Sequence, residues 1–209
     1  PTQFYVFLAL WNRTEPATSE ALLAYFYPRL QQYHRFLAGR LGSSTTRDLK
    51  SNLIRTWDYF YNSGGWDDYP PQVYVHRHGL KARVTPVVGT AQVIRTAKIL
   101  RTMAETLGEP VEEYEEDIEV LSEALHRYAW DEDAGVFGYV CHDEAGEPVG
   151  LLRHESGLNF NLGMDGASPL VAGICTPEQE ERLVATLMSE EHMWTPYGLS
   201  TVDRSAPYY

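Results

Sequence analysis

The stretch YFYNSGGWDDYPPQVYV, residues 59–75, combines features that fit neither a buried strand nor an exposed linker. It holds a glycine pair, two adjacent aspartates, two prolines, a tryptophan and four tyrosines. A buried strand excludes an aspartate pair, because buried charges without partners are strongly unfavourable. A solvated linker is not expected to carry so many large aromatic side chains, because these are usually at least partly buried. The composition therefore indicates a segment that holds a polar group between aromatic rings.

Asp67 and Asp68 are the candidate reactive groups of this stretch. Gly64 and Gly65 allow a sharp turn just before them. Since neighbouring side chains on an extended backbone point to opposite sides, one aspartate is expected to face a pocket. Aromatic neighbours would desolvate that carboxyl and raise its pKa, as a general acid at neutral pH requires. The alternative is an Asp-Asp turn that caps the following segment.

The side chains around the aspartates suit a carbohydrate ligand. A sugar can stack its weakly positive C–H face on an aromatic ring, while amide groups hydrogen-bond its hydroxyls. The candidates are Tyr61, Asn62, Trp66 and Gln72. The alternative is that these aromatic residues belong to an ordinary core, and it applies to some of them.

A second polar stretch, HESGLNFNLGMDGASPL, spans residues 154–170. Glu155 and Asp165 are its candidate carboxylates, and Asn159 and Asn161 lie on either side of a phenylalanine. The alternative is a glycine-rich turn in which Asp165 serves only the backbone. The residue types leave both interpretations open.

Apolar residues recur at three- and four-residue spacing in much of the chain, which predicts amphipathic helices. The predicted helices span residues 4–11, 23–37, 49–61, 93–107, 111–130 and 177–188. Pro28 is expected to kink or divide the second, and Thr85-Pro86 to begin the fourth. The sequence Thr176-Pro177-Glu178-Gln179 matches a capping box for the last. About six helices in consecutive pairs indicate an array of helical hairpins.

Three stretches lack the helical period. Residues 130–152 contain GVFGYV and EPVGLL on either side of DEAG, which predicts a small β-hairpin. Residues 61–83 and 153–173 are predicted to be long connections, and such loops are usually functional or disordered. Their aromatic, Asn, Asp and Gly content disfavours disorder. No Ser/Gly or Pro-repeat linker occurs, so residues 1–209 are expected to form part of one domain.

Composition excludes some classes of partner. The formal net charge is -12 and no basic cluster occurs, which argues against nucleic acid. No apolar run reaches the length of a membrane span. No metal or cofactor motif is predicted: Asp131 to Gly135 loosely resembles a calcium loop but lacks the later glutamate and is expected to be a helix end. A structural calcium ion is left open. The first residue is not Met, so an internal piece of a longer protein is expected and its compartment stays open.

The segment SGGWDDYPPQ, residues 63–72, resembles the general-acid motif of glycoside hydrolase family 63 and the related trehalases, roughly Glu-Ser-Gly-(Trp/Leu)-Asp. Gly65 matches the glycine of the motif, Trp66 its bulky residue and Asp67 its catalytic acid, whereas Ser63 and Gly64 replace the Glu and Ser.

Three more segments are similar to the family in the same order along the chain. Residues 21–37 resemble the helix before the acid loop, and residues 160–187 the sugar-pocket loop with the following helix. MWTPYGLSTVDRSAPYY, residues 193–209, resembles the segment that walls the active site. The resemblance therefore covers nearly the whole chain.

The resemblance implies an all-α fold, an (α/α)6 toroid that is incomplete in this chain and carries a small β-hairpin insertion. It implies an inverting, exo-acting α-glycosidase, α-glucosidase-like, that hydrolyses an oligosaccharide or a small glycoside. Asp67 would be the general acid, whereas the general base would be a glutamate beyond the end of this chain. Asp68, Asp165 and Tyr197 join the aromatic and amide candidates as substrate-binding residues.

This interpretation implies that the 209 residues alone are inactive. The remainder of the same domain, or another subunit, would be needed to complete the barrel. The alternative is a non-catalytic, glycan-binding or interaction fragment of a helical toroid, which would retain the aromatic residues and use neither carboxylate.

Overall fold

The computed structural model of this chain describes residues 1–41, 45–56 and 68–209. The helices within these ranges are α1 (Thr2–Trp11), α2 (Pro16–Leu37), α3 (Pro70–Arg77), α4 (Val87–Leu107), α5 (Glu112–Ala124), α6 (Ser168–Ala172) and α7 (Pro177–Leu187). A π-helical turn, Leu125–Ala129, continues α5. The strands are β1 (Val84–Thr85), β2 (Trp130–Asp131), β3 (Val136–Phe137), β4 (Val140–His142), β5 (Pro148–Leu151), β6 (Trp194–Thr195) and β7 (Gly198–Leu199).

Helix α4 is central among the described elements and packs against α1, α2, α5 and α6. It is buried on most of its circumference, as expected of an inner helix. Helices α2 and α5 each bury one stripe and expose the other face, which places them outside α4. The same cluster of buried side chains continues into the small sheets and α7. None of the helices in the described ranges has both the length and the apolar content needed to cross a bilayer.

Most of the predicted helices are confirmed, with ends that lie within one or two helical turns of the predicted positions. α2 runs through Pro28 without a break. Its outer face carries the proline, and the helix is held by the buried stripe on its other face. α4 begins one residue later than expected, because Pro86 is the N-cap and Thr85 belongs to β1. The capping box of α7 is present, with the Thr176 hydroxyl accepting from the backbone N–H of Gln179.

The helix predicted over residues 49–61 is wrong for its described part, residues 49–56. Asn52 has a left-handed backbone with φ 63, and Thr46 pairs with Arg55 in an isolated antiparallel bridge. The segment instead binds the turn between β4 and β5, where the backbone N–H of Lys50 donates to the carbonyl oxygen of Gly146 over 3.0 Å. A tertiary contact thus replaces the helix that the local pattern favoured.

The predicted β-hairpin is confirmed as β4 and β5, which pair antiparallel around residues 143–147. β1 adds a third strand on the other side of β4. Two further hairpins, β2–β3 and β6–β7, lie outside this sheet. Residues 131–135, predicted to be a helix end, connect β2 to β3 instead, because the π-helical turn has already ended the helix at Ala129.

The two predicted long connections contain short helices that the pattern did not indicate. α3 begins at Pro70 and Pro71, two residues whose fixed φ suits the first turn of a helix. α6 occupies Ser168–Ala172 and ends at Gly173, which has a left-handed backbone with φ 66. Residues 57–67, which include the last five residues of the helix predicted over 49–61, lie outside the described residues, and that part of the prediction stays untested.

A buried ionic cluster joins α2, α4 and α5. His34 hydrogen-bonds Thr96 through Nδ1 over 2.8 Å and Asp117 through Nε2 over 2.9 Å. Arg40 donates to both carboxylate oxygens of Asp117 over 2.5 and 2.7 Å, and Arg47 donates to Oδ1 over 2.9 Å. Burial alone would raise the pKa of Asp117, but the hydrogen bonds from His34 and Arg40 outweigh it and lower that pKa to about 2.

Candidate active site

The two polar stretches singled out in the sequence meet in the structure. The hydroxyl of Tyr69 donates to Oδ1 of Asn161 over 2.9 Å, and both side chains are buried. The approach is close: a Cβ at Gly163 would lie 2.7 Å from the Tyr69 hydroxyl oxygen and 2.5 Å from the carbonyl oxygen of Thr201. Only glycine fits at position 163. The second stretch therefore packs against both the end of the first stretch, at Tyr69, and the chain at Thr201.

Asp165 is fully buried where the first turn of α4 meets the start of α6. Its Oδ1 accepts from the backbone N–H of Val88 over 3.0 Å, and its Oδ2 accepts from the hydroxyl of Tyr139 over 2.7 Å. Burial raises the pKa of Asp165 to about 6, although the hydrogen bonds from Tyr139 and Val88 oppose that shift. The carboxylate serves the backbone and a neighbouring hydroxyl, and its side chain has no exposed surface.

Gln72 and Asp165 are brought together through Tyr139. Gln72 is buried on α3, and its side chain acts on the Tyr139 hydroxyl so as to lower the pKa of that tyrosine, against the larger effect of burial. Tyr139 is fully buried, and its pKa is raised well above the usual value, first by burial and then by the Asp165 charge. Tyr139 is absent from the residues predicted for the site, because an aromatic residue beside a predicted strand carries no local sign of a buried hydroxyl network.

Asp68 lies on the surface, although the next residue is fully buried. Its backbone is left-handed, with φ 59, a conformation that is uncommon outside glycine, asparagine and aspartate. The turn at Asp68 sends its own carboxyl outward and Tyr69 into the core. Asp68 stands at the rim of an open cleft of about 520 Å³, whose other described lining residues are Pro70, Val73, Tyr74, Arg77, His78 and Phe160.

Tyr197 is 99% exposed, at the turn between β6 and β7. The turn is fixed by Thr195, whose hydroxyl donates to the carbonyl oxygen of Gly198 over 2.8 Å and accepts from the Tyr197 N–H over 3.2 Å. The structure therefore does not bring the Tyr197 ring into contact with the buried Asp165 carboxylate.

Four predicted site residues, Tyr61, Asn62, Trp66 and Asp67, lie outside the described residues. Their assignments stay predictions. The described chain ends at Thr56 on one side of them and resumes at Asp68 on the other.

In the acidic stretch that loosely resembles a calcium loop, residues 131–135, the carboxylate of Asp131 binds other groups of the same chain. Asp131 accepts from Arg153 over 2.6 Å and from the side-chain amide of Asn159 over 2.9 Å. It also accepts from the backbone N–H groups of Asp133 and Ala134. Across residues 1–41, 45–56 and 68–209, no three or more His, Cys, Asp or Glu side chains are grouped so as to hold a metal ion.

The backbone is similar to solved (α/α)6 glycoside hydrolases. The GH63 mannosylglycerate hydrolase from Thermus thermophilus in complex with glucose has a TM-score of 0.64 and 20% identity, with 99% of this chain and 55% of that chain covered. The same hydrolase in complex with Tris and D-glycerate has a TM-score of 0.66 and 20% identity, with 99% of this chain and 57% of that chain covered. Neutral trehalase Nth1 from Saccharomyces cerevisiae has a TM-score of 0.65 and 14% identity, with 98% of this chain and 46% of that chain covered. The fold is therefore similar to that of the (α/α)6 helical barrels.

The family follows from the sequence. Residues 2–209 match the family described as the mannosylglycerate hydrolase MGH1-like glycoside hydrolase domain, and the chain belongs to that family. The resemblance to glycoside hydrolase family 63 and the trehalases is confirmed. A search of curated proteins found no match. The chain spans about half the length of the solved structures that it matches.

Proposed function

We propose that this chain supplies the general acid of an inverting, exo-acting α-glycosidase, and that Asp67 is that acid. The observation that carries the proposal is the anchoring of the residues just after Asp67. The Tyr69 hydroxyl donates to Asn161, and a Cβ at Gly163 would meet the Tyr69 ring, so the end of the acid motif packs on the predicted sugar-pocket loop. Membership of a glycoside hydrolase family supports the same conclusion.

The proposed reaction uses two carboxyl groups on opposite sides of the glycosidic bond. Asp67 donates a proton to the leaving oxygen, and a glutamate outside this chain removes a proton from the attacking water. An inverting pair leaves about 6.5–9.5 Å between its carboxyl groups, which makes room for that water. Aromatic neighbours such as Trp66 would keep the acid protonated near neutral pH by desolvating it.

The proposed substrate-binding residues divide by exposure. Asp68 and Tyr197 are exposed and available to sugar hydroxyls and ring faces. Gln72 and Asp165 are buried and support the site from beneath, through Tyr139. Tyr61, Asn62 and Trp66 are proposed to contact the sugar on the strength of the motif in which they lie.

The proposed substrate is an oligosaccharide or a small glycoside, with α-glucosidase-like specificity. The structures similar to this chain are named mannosylglycerate hydrolase and trehalase, so those two substrates belong in the same screen. Kojibiose and nigerose test α-glucosidase activity, and trehalose and mannosylglycerate test the other two activities. Neither a cofactor nor a metal ion is part of the proposed reaction. The alternative of a non-catalytic glycan-binding fragment is not favoured by the family match.

The proposal includes a partner, either the remainder of the same domain or another subunit. Large apolar side chains are exposed on two sides of the described fold: Val6 and Leu10 on α1, and Val171, Val184 and Met188 at α6 and α7. Patches of this kind mark surfaces that another segment covers. The 209 residues alone are therefore expected to release no sugar from any of the four substrates, whereas the full-length protein hydrolyses one of them. Turnover by the isolated 209 residues would contradict this expectation.

The test of the acid assignment is Asp67→Asn in the full-length protein, with Asp68→Asn as the matched neighbouring variant. Loss of a general acid lowers kcat by about 10²–10⁴-fold. We expect that loss for Asp67→Asn on natural substrates, and a much smaller loss on an aryl glycoside whose leaving group needs little protonation. NMR of the first-formed product reports whether the anomeric configuration inverts. Full activity of Asp67→Asn on a natural disaccharide would remove the assignment.

A further inference from the structure

A cavity of about 230 Å³ lies between α7, residues 134–136 and the loops 158–163 and 192–205. Most of its wall is aliphatic and includes Val136, Leu162, Leu183 and Met193. An apolar cavity of about 150 Å³ is already large enough to hold a benzene ring. The space therefore fits a molecule built on one ring.

One edge of the cavity is polar and is built around Asp203, which is buried. Its Oδ1 accepts from the backbone N–H of Ser205 over 2.8 Å and from the Ser205 hydroxyl over 2.7 Å. Both carboxylate oxygens face Nδ1 of His192, at 3.1 and 3.2 Å. The Asp203 N–H donates to the carbonyl oxygen of Leu162 over 3.0 Å, and the Arg204 N–H to that of His192 over 3.1 Å. These bonds hold the polar edge in one geometry.

The same contacts determine which nitrogen of His192 is free. A carboxylate can only accept a hydrogen bond, so the neutral His192 ring carries its proton on Nδ1 and leaves Nε2 as an acceptor. Among the residues that the structure describes, Nε2 has no hydrogen-bond partner. The His192 side chain is 41% exposed, and Leu158 beside the cavity is 47% exposed, so the cavity is open to solvent there. Because His192 lines the cavity, Nε2 is an acceptor available to a ligand inside it.

His192, Asp203 and Ser205 are the residue types of a nucleophilic triad, but their arrangement differs from one. In a triad the serine faces the imidazole nitrogen opposite to the one that binds the carboxylate. Here the Ser205 hydroxyl donates to Asp203 and lies 3.3 Å from Nδ1, the nitrogen that also faces the carboxylate. Ser205 is therefore not activated as a nucleophile, and the cluster is suited to binding.

The supply of polar groups separates a sugar from a less polar ligand. A hexose carries about five hydroxyls, and each one that is buried without a partner is unfavourable. In the described lining, the Asn159 side chain is already engaged by Asp131 and by the backbone N–H of Asn161, and Thr186 adds one hydroxyl. One free imidazole nitrogen and one further hydroxyl match an apolar ligand with a single hydroxyl group.

We propose that this cavity binds a small phenol or aryl alcohol, with its ring against Leu183 and Met193 and its hydroxyl donating to Nε2 of His192. The thioether of Met193 suits an aromatic ring, because sulfur makes favourable contacts with ring edges. The proposal uses none of the residues assigned to the glycosidase reaction and does not rest on that reaction.

The test is NMR of the full-length protein labelled with ¹³C-methyl methionine and titrated with phenol, toluene and glucose. Phenol should shift the Met193 methyl resonance, assigned with Met193→Leu, with a dissociation constant of about 0.1–1 mM. That range is open to a ligand of about seven non-hydrogen atoms. The methyl of Met103, which is buried in α4, should not shift, and glucose should leave both methyls unchanged.

His192→Asn tests the hydrogen bond. Asparagine keeps a donor for Asp203 but has no atom at the position of Nε2. Phenol should bind about 3- to 10-fold more weakly to this variant, the effect of losing one hydrogen bond. Toluene has no hydroxyl, and its affinity should change by less than about twofold.

Leu187→Trp tests the location, because its larger side chain fills the cavity from α7 and should weaken both phenol and toluene by at least about tenfold. Val184→Trp, on the exposed face of the same helix, is the matched control and should leave both affinities unchanged. The proposal is overturned if phenol at about 10 mM leaves the Met193 methyl unshifted, or if glucose shifts it. It is also overturned if His192→Asn weakens phenol and toluene equally, a comparison that decides the matter even where Leu187→Trp does not fold.

Discussion

Replacement of Asp117 by asparagine should destabilise this protein strongly at neutral pH. The carboxylate is fully buried and accepts from His34, Arg40 and Arg47. Asparagine has the same shape but no charge, so Arg47 would lose the carboxylate it pairs with and Arg40 would keep only Glu113, 3.8 Å away. Removing one partner of a buried ionic group destabilises a protein by about 3–5 kcal/mol. We expect that loss for Asp117→Asn at pH 7.

The shifted pKa of Asp117 gives a second value for the stability that its ionised carboxylate contributes. The folded-state pKa of Asp117 is about 2, against an ordinary value of 3.8, which corresponds to about 2.4 kcal/mol of stability. Because the folded pKa is lowered, this contribution is complete above pH 3.8 and is lost as the pH falls through 2. The difference in stability between the wild type and Asp117→Asn should therefore shrink by about 2 kcal/mol between pH 5 and pH 2, where half of the folded molecules still carry the carboxylate.

The assay is urea denaturation of the full-length protein at pH 7, 5, 3 and 2, followed by circular dichroism. Glu113→Gln is the matched control, because Glu113 also lies on α5 and accepts three hydrogen bonds from Arg35, but is partly exposed. That variant should lose less than about 1 kcal/mol at pH 7. A difference between wild type and Asp117→Asn that stays constant from pH 7 to pH 2, or that equals the Glu113→Gln effect, would refute the reasoning.

Two further predictions concern the buried carboxyl of Asp165 and helix α7. The pKa of Asp165 is raised to about 6 from 3.8, so its folded state favours the protonated form and stability should fall by about 2 kcal/mol as the pH rises from 4 to 6. Urea denaturation of Asp165→Asn, which has no such proton, should lack that decrease, and an equal decrease in the variant would contradict the assignment. Thr176→Ala removes the capping bond of α7 and should lower the free energy of unfolding by about 1 kcal/mol. Thr176→Ser keeps the hydroxyl and should lower it by less than half as much. Equal losses in the two variants would show that the cap does not stabilise the helix.

Elements with local signals could be predicted from the sequence. The capping box at Thr176 lies within four consecutive residues, and the β4–β5 hairpin is marked by a polar turn between two apolar runs. α5 shows its buried stripe at regular spacing. In each case the residues that decide the structure are neighbours in the chain, so the pattern contains the necessary information.

Elements decided by distant contacts could not be predicted. Residues 49–56 have a helical pattern, but the bond from Lys50 to Gly146 and the left-handed Asn52 give them another conformation. α3 was missed for a different reason, since Pro70 and Pro71 suit a stiff loop as well as a helix start. Tyr139 was missed because its partners Asp165 and Gln72 are far away in sequence.

Asp117 and Asp165, both fully buried, show why residue type and position do not determine chemical state. Asp117 meets two arginines that arrive from the segment after α2, and the positive charge keeps its carboxylate ionised. Asp165 meets a tyrosine hydroxyl and a backbone N–H, which are neutral donors, so burial prevails and raises its pKa. Both residues are simply polar positions in the sequence. Only the partners that the fold brings to them keep one carboxylate ionised down to about pH 2 and let the other take up a proton near pH 6, and those partners lie 26 to 83 residues away.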